Sequence, residues 1–116
     1  MTEKQKDKKK TVKNKLEIPV TFSANGQKSQ GKARDISGKF TLIICARPLR
    51  LNTLLRIRFS GGPLKKPIEA EAEVVWTNQY GPDDEITPRG MKVRFTQIDD
   101  NDRQILDTLS SDLETL

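Results

Sequence analysis

Few residues in this chain combine the types and spacing that chemistry needs. Asp35 and Ser37 stand two apart before Gly38, a pattern that can satisfy backbone donors at a tight turn or touch a ligand. Glu69, Glu71 and Glu73 alternate along one run, and Asp83, Asp84 and Glu85 lie together between Gly81-Pro82 and Pro88. Either acidic set offers the oxygen donors that a hard cation takes. Cys45 is the only cysteine and histidine is absent, which removes Ser/His/Asp and Cys/His catalysis, His or Cys zinc clusters and an intrachain disulfide. No enzymatic activity is expected. Charge is concentrated elsewhere: residues 1–15 carry seven lysines against Glu3 and Asp7, while the rest of the chain carries 14 basic and 14 acidic side chains. The whole net charge of +5 therefore belongs to this stretch.

The elements that must position these groups are short strands. Leu16, Ile18, Val20 and Phe22 alternate with polar residues, and Asn25-Gly26 then supplies a hairpin turn. A return strand is expected over 30–37 and another over 40–45. Leu55, Ile57 and Phe59 alternate with Arg56 and Arg58, and Ile68, Ala70, Ala72, Val74 and Trp76 share one face against the glutamates. Met91, Val93 and Phe95 complete the set. Trp76 is expected in the core by this alternation, with a stacking platform for a base as the other reading. After Ile98 the period becomes helical: Asp99 or Asp100 can cap, and Ile105, Leu106, Leu109 and Leu113 form a stripe. The architecture expected is mainly β, a small six-stranded antiparallel barrel closed by a C-terminal α-helix, over residues 16–116.

In that setting the acidic sets have plain explanations. Arg56, Arg58, Lys92 and Arg94 face outward on strands beside the glutamates, so cross-strand ion pairs account for them. The Asp83 group reads as a solvated loop. Cys45, among Ile43, Ile44 and Ala46, reads as a small packed residue. Residues 1–15 have one valine and no aromatic residue, too little apolar surface to offset ordering entropy, and are expected to form a flexible arm. No apolar run approaches the roughly 20 residues of a transmembrane helix, no secretory signal is evident, and a cytoplasmic location is expected.

The order of several landmarks resembles the PilZ domain family of bacterial cyclic di-GMP signalling. Ile18-Pro19-Val20 is similar to its first barrel strand, and Asp35-Ile36-Ser37 to the opening of its DxSxxG motif. Pro48-Leu49 with residues 55–59, Val74-Val75-Trp76, and the run from Arg89 to Phe95 match later turns and strands of the family. The resemblance implies a cyclic di-GMP site built from an N-terminal RxxxR together with DxSxxG. Planar arginines suit that ligand because they pair with phosphate or a guanine edge and stack on the base.

In this chain Lys13 stands at the first arginine, Glu17 at the second, and Phe40 where the final glycine belongs, while Asp35 and Ser37 match. The lost bidentate contact costs roughly 1 to 3 kcal/mol by analogy with base readout. A carboxylate about 5 Å from a phosphate adds repulsion of roughly 3 kcal/mol at an effective dielectric near 20. The resemblance thus implies a regulatory domain with a degenerate nucleotide site, acting as a protein-interaction adaptor in motility, pilus or surface-behaviour control. Two alternatives stay open. Lys8, Lys9, Lys10 and Lys15 supply charge for a cyclic di-GMP receptor that binds weakly or through its arm, and Arg47 and Arg50 are spare basic residues expected near that site. A basic-armed nucleic-acid binder is disfavoured by the neutral body.

Overall fold

A computed structural model describes residues 16–115. The lysine-rich arm, with Lys8, Lys9, Lys10, Lys13 and Lys15, lies outside the described residues, as does the side chain of Leu113. Six strands follow in chain order: β1 (Ile18–Ala24), β2 (Gln27–Arg34), β3 (Phe40–Ile44), β4 (Leu54–Phe59), β5 (Ile68–Asn78) and β6 (Gly90–Ile98). One helix, α1 (Asp100–Thr115), ends them. All neighbours are antiparallel and close in the order β1-β2-β3-β6-β5-β4.

Alternation decides what faces inward. Ile18, Val20 and Phe22, then Leu55, Ile57 and Phe59, then Met91, Val93 and Phe95, are buried in one core with Ile43, Ile68 and Val74. Phe59 and Phe95 meet with ring centroids 6.0 Å apart at 55°, the tilted packing that aromatic quadrupoles favour. Asn25 and Gly26 both adopt left-handed backbone, φ 53° and 79°, as the two-residue hairpin turn requires. That turn sets the β1–β2 register from Ala24 opposite Gln27 to Ile18 opposite Ala33. Pro19 pairs with Lys32 and its carbonyl accepts from the Ser60 N–H at 3.1 Å, so its ring faces the β4 side and removes no bond between β1 and β2.

Three expectations from the pattern are corrected. The return strand runs Gln27–Arg34, earlier than 30–37, because it begins directly after the hairpin turn and ends where Asp35 takes φ 53°. Trp76 is 39% exposed and lies outside the core. The β5–β6 register slips between Val74 and Trp76, so Val75 is an extra residue that reverses the alternation and sets Trp76 beside Lys92 on the outer face. In α1, Leu106 is fully buried and Leu109 packs on the core, but Ile105 is 44% exposed, so the helix stripe is narrower than its spacing implied. Asp99 precedes the helix and its carboxylate accepts from the Asn101 N–H at 3.0 Å, while Asp100 and Asp102 occupy the first turn.

Candidate functional site

The residues that could meet a nucleotide gather where β1 begins and β2 passes into β3. Glu17 stands one residue before β1, and the hairpin register continued outward brings it opposite Arg34, the last residue of β2. Oε2 of Glu17 accepts from Nη2 of Arg34 at 2.7 Å and from Nε at 3.2 Å, and Lys32 Nζ lies 4.0 Å from Oε1. The two side chains are 32% and 30% exposed, so this pair is worth about 1 kcal/mol to folding. Its effect on a ligand is larger in kind: the guanidinium beside Asp35 already has a carboxylate partner.

The turn that follows is held from within and from outside. Ser37 Oγ accepts from the N–H groups of Lys39 at 3.2 Å and Phe40 at 3.1 Å and lies 3.2 Å from the Phe40 carbonyl, which also accepts from the Ser37 N–H at 2.9 Å. The Ser37 hydroxyl is thereby engaged with its own turn. From α1, Asp107 Oδ1 accepts from the Gly38 N–H at 2.6 Å, and Arg103 Nη1 donates to the Gly38 carbonyl at 3.1 Å. A Cβ on Gly38 would lie 2.6 Å from Arg103 Cγ and 2.7 Å from Asp107 Oδ2, so the helix approaches this closely only because residue 38 has no side chain. Asp35 is exposed, and Ile36 between the two motif residues is buried in the core. Phe40 is half-buried at the start of β3, with Lys92 Nζ 5.1 Å from its ring centroid in a cation–π contact.

Arg34, Arg103 and Asp107 went unremarked in the sequence. Arg34 had a signal: extending the Asn25-Gly26 hairpin pairs it with Glu17. Arg103 and Asp107 share a helix face at a spacing of four, but only docking of α1 shows what they hold. Arg47 and Arg50 are corrected in position. They follow β3 at the end opposite the Ser37 turn, and the five residues of β3 span about 13 Å between them.

The other chemical groups are accounted for. Glu69, Glu71 and Glu73 stand opposite Arg58, Arg56 and Arg94, with N–O distances of 2.7, 3.4 and 2.7 Å. Asp84 Oδ1 accepts from the Ile86 and Thr87 N–H groups, and Asp83 Oδ1 from that of Arg89, so both carboxylates order their own loop. Burial pushes the Cys45 thiol up from 9.0 to about 11, against a smaller lowering by a backbone hydrogen bond at Arg47, which leaves it protonated and unreactive at neutral pH. Among the described residues no group of three or more acidic or cysteine side chains could hold a metal ion. No described helix is long and apolar enough to cross a membrane.

The chain belongs to the PilZ domain family, whose model matches residues 7–112. Among solved structures it is similar to the Bacillus subtilis inhibitor of motility (MotI/DgrA), with a TM-score of 0.71 at 17% identity. The match covers 86% of this chain and 48% of that one, so the chain spans about half the length of its neighbour. Comparison with curated proteins gave no match.

Proposed function

We propose that this chain is a non-enzymatic regulatory PilZ domain of cyclic di-GMP signalling that works as a protein-interaction adaptor, with a nucleotide site that has lost its grip on the ligand. The observation that carries this reading is the Glu17–Arg34 pair. A phosphate approaching Asp35 and Ser37 meets a carboxylate where the family's motif has an arginine; that carboxylate neutralises Arg34, and Arg103 is engaged by the Gly38 carbonyl. Phe40 adds a ring under Lys92 where the motif has glycine. The name of the structural neighbour, an inhibitor of motility, makes control of motility or surface behaviour the setting we favour.

A receptor reading has one observation in its favour. Arg34 places a planar donor one residue before Asp35, so a ligand able to displace Glu17 would find a fork suited to phosphate. Calorimetric titration of the full chain with cyclic di-GMP at moderate salt separates the two. The adaptor reading expects no saturable heat at micromolar ligand; affinity in the low micromolar range or tighter establishes the receptor.

A further inference from the structure

Three cations that the candidate site does not use lie at the other end of the barrel. Lys28 on β2 and Arg47 and Arg50 after β3 line one groove of about 620 Å³, with Gln27, Ser29 and Gln79 among its other walls. No acidic side chain lines it. All three cations are exposed, and none has a carboxylate partner among the described residues. The arginines stand on a fixed frame. Pro48 between them is buried, its carbonyl accepts from Gln79 Nε2 at 3.0 Å, and the Arg50 carbonyl accepts from the Thr53 N–H at 3.2 Å. Little backbone ordering remains to oppose an anionic partner there, and the cost left is the rotamer freedom of the three cationic side chains.

The opposite wall supplies a second, independent observation. β2 pairs with β1 along its whole length but with β3 only through Lys32, Ala33 and Arg34. Its first half, Gln27 to Gln30, therefore has no paired strand on one side among the described residues. In a hairpin with a two-residue turn, the flanking pair exchanges both hydrogen bonds and every second pair does not. With Ala24 opposite Gln27 as that flanking pair, Lys28 and Gln30 direct their N–H and C=O groups away from β1. These groups face the free edge, and Gln27, Lys28 and Ser29 line the groove along it. An unpaired edge of this kind is a template for strand addition.

We propose that this groove binds an acidic, extended segment of a partner protein. The segment adds as a strand to the free edge of β2 and sets its carboxylates against Arg47, Arg50 and Lys28. Charge complementarity selects the acidic partner and the backbone edge selects its extended form. Nucleic acid fits less well, because no aromatic side chain lines the groove to stack a base. The inference rests on the adaptor reading for its purpose, while its site is separate from the Glu17–Arg34 end.

The test uses the isotopically labelled full chain, titrated in separate arms with an acetylated octapeptide of alternating glutamate and valine, its lysine–valine counterpart, inorganic phosphate and an oligothymidine. The acidic peptide is expected to give saturable amide shifts at residues 27–30. It should slow hydrogen exchange at Lys28 and Gln30 by about tenfold as those amides gain partners, with little change at Ser29, which already bonds to β1. The double variant R47E/R50E, altered only at exposed positions, should weaken binding by about a hundredfold, and Gln30→Pro, which deletes one outward N–H, by about tenfold. Absence of saturable shifts, unchanged exchange at Lys28 and Gln30, undiminished binding by R47E/R50E, or a stronger response to phosphate or oligothymidine each overturns the proposal. These failures leave the nucleotide-site reading in place, since cyclic di-GMP titration decides that one at the opposite end.

Discussion

At one end of the barrel Arg34 is held by Glu17, Gly38 by Asp107 and Arg103, and Ser37 by the backbone of its own turn. At the other end Lys28, Arg47 and Arg50 border a groove that contains no carboxylate. A ligand for the first end must break bonds that the protein already makes, whereas the cations of the second have no carboxylate to give up among the described residues. The neutral formal charge of the folded body conceals this asymmetry. Charges that pair at the strand ends and across the wet sheet cancel, and three cations without a described carboxylate partner, Lys28, Arg47 and Arg50, share one groove away from the family's nucleotide motif.

The comparison breaks most visibly if the frame of the cationic end is removed. Asn78 is buried, with Nδ2 2.7, 3.1 and 2.9 Å from the carbonyls of Pro82, Thr87 and Pro88, and Oδ1 accepting from the Gly81 N–H. Asn78→Ala should cost about 3 kcal/mol in urea unfolding, since four part-buried hydrogen bonds are lost at once. Next in size, the double variant E17R/F40G should gain cyclic di-GMP affinity by about thirtyfold, or about 2 kcal/mol, by freeing Arg34 and adding a second fork. Calorimetry showing no gain would remove Glu17 as the obstacle. Asp107→Ala should lower stability by about 1.5 kcal/mol, a loss of roughly 6 to 12 °C in melting temperature, because the Gly38 amide loses a charged acceptor. Smallest of all, Glu17→Gln should change stability by less than about 1 kcal/mol, as befits a pair a third exposed to water. A larger loss would mean that the pair serves the fold more than it obstructs a ligand.

Much of the barrel was legible because burial imposes a period of two on each strand, and the closing helix because the period then lengthens. The Asn25-Gly26 turn even contained the Glu17–Arg34 contact, since one hairpin register fixes every opposite pair along its length. Trp76 was misplaced because a bulge inserts one residue without any local mark: Val74-Val75-Trp76 reads as an unbroken strand, and only its pairing with β6 shows the slip. The grip of Asp107 and Arg103 on Gly38 was hidden for a different reason. It depends on how a helix rotates onto a barrel, which no spacing within the helix determines. Arg47 and Arg50 were visible as basic residues, but closeness in sequence to the Ser37 turn suggested closeness in space, and β3 carries the chain the other way.

The bonds from Asp107 and Arg103 to Gly38 join residues 69 and 65 positions apart. Contacts of such long separation form late, because the intervening chain must be closed before they reward it. A chain emerging from the ribosome therefore carries all the residues of β2 and β3 well before it carries the helix that locks the bend between them. A truncation that spares all six strands but stops short of Arg103 would leave that bend without its clasp, so the Ser37 turn is finished only when α1 docks upon it.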